Sequence, residues 1–400
     1  MTTHPYQEIS DLSQLPAPDE TGIVSHYVFQ YLDFFKVPQY LAAGHRYSDC
    51  CFLGCEIPSE MEGNIGRTCL IFPRMGRSYN VFRSRLYTGE DLYEGYEPGN
   101  EDTFETCFDS RVYADYKEKG QQCGDVRETL GRTLHDRAMG DAMREFLRKF
   151  DELQVVAIMG GHALNRSDVG YRNVAYISKK LTEKGKLMAS GGGPGAMEAT
   201  HFGAWMAGRS DEDFEDALAI LSVAETFRDE GWLRSAFEVR AKYPQSKYRS
   251  LGIPTWFYGH EPATPFATDI AKYFYNSVRE DTLLSIAKGG IIYSPGSAGT
   301  IQEIFQDAAQ NHYETFGAPS PMVFLGKDFF TREIPIYPLL EDLLTRDKYK
   351  NLMISVTDDP EEAIDTLLSF SGMGPMMNNS MSFNWEQAST NSKTPFVLTT

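Results

Sequence analysis

The chain has 400 residues, of which 42% are apolar and 24% charged, so it is an ordinary soluble composition with ample material for a core. Its formal net charge of −18 argues against a nucleic-acid surface, because a phosphate backbone demands a basic stripe; a local basic site for one small phosphate stays compatible with it. No apolar run approaches the roughly 20 residues of a membrane span, and Met1-Thr2-Thr3-His4-Pro5 lacks the basic and apolar regions of a secretion signal, so a cytoplasmic protein without membrane partners is expected.

Residues 1–20 are polar with several prolines and read as a flexible arm. Residues 21–135 are aromatic-rich, with short strand candidates at Cys51-Phe52-Leu53 and Cys69-Leu70-Ile71-Phe72. They read as an accessory α+β region that packs on the rest of the chain or forms a subunit contact, with no chemistry assigned. All six cysteines lie here, and a cytoplasmic chain keeps them reduced. His45, Cys50, Cys51 and Cys55 invite a metal, but their spacing matches no common zinc pattern. Cys51 to Cys55 reads better as a buried strand whose thiols act as small apolar groups. No metal and no cofactor is expected.

From residue 136 to 370 helical and strand patterns alternate. Asp136 to Asp151 reads as a helix, with Ala138, Met143, Phe146, Leu147 and Phe150 as its apolar positions. Leu153 to Met159 is the near-continuous apolar run of a parallel strand buried on both faces. Gly160-Gly161-His162 turns the chain, with His162 read as a loop histidine, and Asp168 can cap the helix that follows. Leu187-Met188-Ala189 begins the next strand, and an acidic helical insertion over 211–241 precedes a return to the sheet at Gly252. Pro321 to Leu325 is a further strand, and helices near Tyr337–Leu344 and Glu361–Leu368 close the region. This is a doubly wound, Rossmann-like parallel sheet of the α/β class, whose ligands sit at the carboxyl ends of the strands. Residues 371–400 lack periodicity and are expected to be a disordered tail.

Two glycine stretches fall at such strand ends. The first is Ser190-Gly191-Gly192-Gly193-Pro194-Gly195-Ala196-Met197-Glu198, between a strand and a helix. The second is Ser294-Pro295-Gly296-Ser297-Ala298-Gly299-Thr300-Ile301-Gln302-Glu303, after the strand Ile291–Tyr293 and before a helix expected to start near Thr300. Strand, glycine turn and helix leave unpaired N–H groups and a positive dipole end where a phosphate can sit. Glu303 falls in the first helical turn beside it. Thr300-Ile301-Gln302-Glu303 also fits a capping box, which leaves Glu303 with a purely structural alternative. Glu198 has the same double reading, as a site residue or as a carboxylate favoured by the dipole of its own helix.

The ordered pair resembles the LOG ("Lonely Guy") nucleoside-monophosphate phosphoribohydrolases, whose mark is P-G-G-x-G-T-x-x-E preceded by a triple-glycine loop and an arginine. Pro295 to Glu303 matches with one departure, Ser297 for the second glycine; Gly191, Gly192 and Gly193 match the triple glycine, and the arginine falls on Arg279. Glu261-Pro262-Ala263-Thr264-Pro265 looks like a segment of the larger bacterial nucleotide 5′-monophosphate nucleosidases, and the resemblance covers about residues 152–368. It implies cleavage of the N-glycosidic bond of a nucleoside monophosphate, with no cofactor, by a homodimer or higher homo-oligomer. Gly296, Ser297, Gly299 and Thr300 would hold the 5′-phosphate, and Gly191 to Gly193, Met197 and Glu198 would line the cleft near ribose and base. Glu303 would stabilise the sugar cation and activate water, and Arg279 would clamp phosphate or polarise the leaving base. A non-catalytic carrier of a phosphorylated ligand on the same fold is the alternative.

Three other readings explain less. Gly191-Gly192-Gly193-Pro194-Gly195-Ala196 formally fits the dinucleotide pattern, with Asp211 about the right distance on, but leaves the second loop idle. A nucleophile elbow needs glycine where Pro295 stands, and no Gly-Lys-Ser/Thr follows either run to make a P-loop.

Overall fold

A computed structural model describes residues 6–372. Apart from Ser371 and Gly372, the expected C-terminal tail lies outside the described residues, as do the first five residues of the expected arm.

The amino-terminal part holds six short strands: β1 (Gln7–Ile9), β2 (Ile23–Ser25), β3 (Tyr27–Gln30), β4 (Arg46–Ser48), β5 (Cys51–Leu53) and β6 (Leu70–Phe72). They form a four-stranded parallel sheet in the order β1-β3-β5-β6 and a separate parallel pair, β2 with β4. An aromatic cluster fills this unit: Phe29 stacks on Phe52 at 5.0 Å, and Phe34 and Tyr47 meet Phe29 edge-on. Residues 7–9 are therefore part of a sheet, where the sequence suggested an arm. Ile9 is 2% exposed against that cluster, and one buried apolar side chain in a three-residue strand leaves no periodicity to read. All six cysteines are free thiols, Cys50 and Cys107 buried, and no cluster of His, Cys, Asp or Glu among the described residues could hold a metal ion.

The core divides near residue 75, not at the expected boundary of 135. Tyr79, Phe82, Tyr87, Tyr93 and Tyr116 belong to the same apolar cluster as the large sheet. Buried polar links fasten this segment: Lys272 Nζ lies 2.6 Å from Asp109 Oδ1, and Trp256 Nε1 donates to the same oxygen at 2.8 Å. Asp136 accepts from the backbone N–H groups of Phe274 and Tyr275, both at 2.9 Å. Each pair spans more than a hundred residues of chain, so no local pattern announces it.

The large sheet contains β7 (Val155–Met159), β8 (Leu187–Ser190), β9 (Ser250–Gly252), β10 (Asp269–Ile270), β11 (Ile291–Tyr293), β12 (Pro321–Leu325) and β13 (Met353–Thr357). Their order is β10-β9-β8-β7-β11-β12-β13, and every neighbouring pair is parallel. Alternate residues serve opposite cores. Val155, Ala157 and Met159 face one with Ile291 and Tyr293, while Val156, Ile158 and Ile292 face the other. The helices Val126–Leu147, Asn276–Ile286 and Ala298–Tyr313 cover the first face; Val169–Glu183, Ala196–Trp205 and Pro360–Ser369 cover the second. The protein is thus an α/β fold with a doubly wound parallel sheet. The acidic insertion supplies the helices Asp211–Leu221 and Trp232–Lys242 between β8 and β9. No helix among the described residues is long and apolar enough to cross a membrane.

The chain runs outward from β7 through β8 and β9 to β10, then returns to lay β11 beside β7 with Tyr293 opposite Met159. The winding direction reverses between β7 and β11, and the loops leaving them part to open a crevice there.

Candidate functional site

A cavity of about 330 Å³ occupies that crevice. Gly160, Gly161 and His162 line it after β7, Gly191 and Met197 after β8, Tyr258 and Glu261 between β9 and β10, and Ser297, Ala298, Gly299, Thr300 and Glu303 after β11. Arg279, Glu280 and Gln302 complete the wall.

Two glycines permit the convergence. Gly195 has φ +68°, and a Cβ there would stand 2.8 Å from the backbone of His162, so the Ala196–Trp205 helix can close on the β7 loop only without a side chain. A Cβ on Gly296 would collide with Thr300 and reach within 3.0 Å of the Gly161 nitrogen. Hydrogen bonds lock the same junction: Ala196 N–H donates to Gly161 O at 3.1 Å and Gly161 N–H to Pro295 O at 3.2 Å. The first of these ties down the leading N–H of the Ala196–Trp205 helix, which weakens the dinucleotide reading of that end.

The second glycine stretch behaves differently. Its helix spans Ala298–Tyr313 with Ser297 as N-cap, two residues earlier than expected. The first helical bond is Ile301 N–H to Ser297 O at 3.1 Å. The N–H groups of Ser297, Ala298, Gly299 and Thr300 meet no acceptor among the described residues, and no side chain caps them. Ser297 has φ −108°, extended backbone that any residue adopts, so its departure from glycine carries no strain. Because Thr300 is the third helical residue and not the cap, the capping-box alternative for Glu303 fails.

Glu303 therefore sits in the second helical turn. It is 7% exposed, faces the cavity and makes no hydrogen bond with any described residue. Burial pushes its carboxyl up to about 7; Arg279 pulls it down and Glu280 pushes it up, both more weakly. A carboxyl poised near neutrality in a cleft is a candidate acid or base. Arg279 lies in the first turn of the Asn276–Ile286 helix. Its Nε donates to Ile253 O at 3.1 Å, Nη1 sits 3.4 Å from Asn276 Oδ1 and 3.8 Å from Glu280 Oε1, and Nη2 lies against Gly191. Glu280 is held by Asn276 Nδ2 at 2.6 Å and Gln302 Nε2 at 2.9 Å. Most of the guanidinium is thus oriented by protein, with one edge left at the cavity.

The structure gathers Glu303, Arg279, Gly191, Met197, Ser297, Gly299 and Thr300 around one cavity. It sets the others apart. Gly296 lies behind the wall, against Thr300 and Gly161. Gly192 packs on β9, its carbonyl accepting from Thr264 N–H at 2.8 Å, and Gly193 lies under Met197. Glu198 is no cleft residue. It is fully buried, accepting from Arg166 Nε at 2.9 Å, from Arg166 Nη2 at 2.5 Å and from Tyr171 Oη at 3.1 Å. Its partner arginine stands 32 residues upstream and also donates to Ser235 Oγ at 2.9 Å, a network that no motif signals.

His162 and Glu261 also line the cleft, and sequence reasoning assigned neither of them a role there. His162 Nδ1 lies 3.3 Å from Glu261 Oε1, and His260 Nε2 lies 3.8 Å from the same oxygen. The signals available for them were a Gly-Gly-His turn at the end of a buried strand and the Glu-Pro-Ala-Thr-Pro segment.

No family model matches the sequence, and no curated protein does. Among solved structures, the chain is similar to the molybdenum cofactor binding protein of the phototrophic bacterium Rippkaea orientalis. That match has 14% identity over 54% of this chain and 95% of that one, with a TM-score of 0.33. It is also similar to TM1055, at 17% identity over 54% of this chain and 99% of that one, with a TM-score of 0.34. Neither likeness bears on the chemistry of the cleft.

Proposed function

We propose that the chain is an enzyme that hydrolyses the N-glycosidic bond of a nucleoside 5′-monophosphate, releasing the free base and ribose 5-phosphate. The observation that carries this reading is Glu303, a buried carboxyl one helical turn from a row of N–H groups at the switch point, neither of them hydrogen-bonded to any described residue. The resemblance of Pro295–Glu303 to the phosphoribohydrolase motif supports it.

Each part has a task. The N–H groups of Ser297 to Thr300 and the helix dipole take the 5′-phosphate. That anchoring places the ribose beside Glu303. As the bond from C1′ to the base nitrogen breaks, positive charge develops on the sugar, and the Glu303 carboxylate stabilises it. The same carboxylate orients the attacking water and accepts its proton. Arg279, permanently charged, cannot assist the cation; its free edge serves the phosphate or the leaving base. No step calls for a metal or a cofactor. The same resemblance implies a homodimer or higher homo-oligomer, and light scattering showing a monomer would count against that part.

Incubation of the purified protein with AMP, GMP, CMP, UMP and IMP, with assay for ribose 5-phosphate, tests the reading. Saturable binding of these nucleotides without release would make the chain a carrier instead.

A further inference from the structure

His162 is placed with more care than a loop residue requires. The residue before it is pinned from both glycine stretches, by the Ala196 N–H to Gly161 O bond at 3.1 Å and the Gly161 N–H to Pro295 O bond at 3.2 Å. At Gly195, φ +68°, a Cβ would stand 2.8 Å from the His162 backbone, so the next helix closes on His162 only because no side chain is there. The ring meets Phe227 edge-on at 6.3 Å, and its Nδ1 stands 3.3 Å from Glu261 Oε1. The Glu261 side chain is only 18% exposed, while the imidazole keeps 39% of its surface open at the cleft. A carboxylate beside Nδ1 holds the ring in place and leaves Nε2 as the atom that can hand on a proton.

The pair lines the wall formed by the loops after β7 and β9, and Glu303 lines the wall formed by the helix after β11. Glycosidic cleavage needs two different groups on two sides of the sugar, one for the cation and its water and one for the leaving atom. Glu303 meets the first need. Arg279 cannot meet the second by proton transfer, since a guanidinium does not give up its proton in a protein. We propose that His162, oriented by Glu261, is the general acid that protonates the departing base, with Glu261 as a positioning residue. This rests on the phosphoribohydrolase reading of the cleft.

The step balances. The C1′–N bond breaks and its electron pair stays on the base, which receives the proton of the His162 imidazolium. Water adds its oxygen to C1′ and gives a proton to the Glu303 carboxylate. The products are neutral base and ribose 5-phosphate, and exchange with solvent returns Glu303 and His162 to their starting states.

A leaving group that needs no proton separates this role from any structural one. The experiment compares a natural nucleoside monophosphate with p-nitrophenyl β-ribofuranoside 5-phosphate, whose nitrophenolate departs unassisted. For His162→Asn, kcat/KM on the nucleotide should fall about 10²–10⁴-fold, the usual worth of a general acid, with a change under about threefold on the nitrophenyl substrate. Glu261→Gln should show the same selectivity with a smaller loss, and retained nitrophenyl cleavage certifies that both variants fold. Equal losses on the two substrates, or none on the nucleotide, would overturn the proposal while leaving the phosphoribohydrolase reading intact. Wild-type protein that cleaves neither substrate would overturn both.

Discussion

Replacing Glu303 by glutamine keeps the volume, removes the titration and should have two opposite effects. The folded carboxyl titrates at about 7 against an ordinary 4.5, because burial disfavours its charged form. Between those values the folded protein binds more protons than the unfolded chain, so wild-type stability falls as pH rises through this window, and the full penalty applies above about 7. At about 1.4 kcal/mol per pH unit, the difference amounts to roughly 3 kcal/mol. Glu303→Gln should therefore match wild type near pH 4 and exceed it by roughly 2–3 kcal/mol at pH 8, read from urea unfolding without ligand. Asp307, which burial also raises to about 7, stays in both proteins and cancels in the comparison. The same substitution should cut hydrolysis about 10²–10³-fold while nucleotide binding persists. The rising limb of the wild-type kcat/KM profile should pass through about 7, as Glu303 ionises, with the falling limb belonging to the general acid. A variant no more stable than wild type at pH 8 would refute the account of an unpaired buried carboxyl, and undiminished turnover would refute its role in the chemistry.

Gly296→Ala puts a methyl group into Thr300 and 3.0 Å from the Gly161 nitrogen, so it should cost about 1–3 kcal/mol of stability and weaken ribose 5-phosphate binding; an unchanged melting curve and affinity would contradict the packing described. Arg166→Met strands the fully buried Glu198 carboxylate and should destabilise by about 3–5 kcal/mol with kcat unchanged. Lost turnover in a normally stable variant would return Glu198 to the site. Ser297→Gly relieves no strain, since Ser297 already has φ −108°, and loses one hydroxyl donor, worth about 1 kcal/mol of phosphate affinity by calorimetry. Tighter binding and faster turnover with glycine would instead mark the serine as a degraded site.

Where the sequence signal was local, it was readable. The run Val155–Met159 announced a strand buried on both faces because every residue in it is buried. The glycine loops announced strand ends because a close approach such as that of Gly296 to Thr300 tolerates no side chain. Arg279 and Glu303 came from a motif whose spacing the fold turns into one cavity. What stayed hidden depends on partners distant in the chain. Glu198 and Arg166 neutralise each other across a helix and a strand, Asp109 ties residues far ahead of the sheet to Lys272, and His162 gains meaning only beside Glu261. Thr300 misled for a different reason. The helix begins at Ala298 because Ala298 and Gly299 adopt helical geometry without any capping side chain, and a pattern search for caps passes over such a start.

The central claim is tested most directly by the products formed when the wild-type protein meets a nucleoside 5′-monophosphate, resolved by chromatography and scored for both halves of the molecule. The account predicts free base and ribose 5-phosphate in equal amounts, with no nucleoside and no inorganic phosphate. Nucleoside with phosphate, or recovery of intact nucleotide at every pH from 6 to 9 by a protein that binds it, would contradict it.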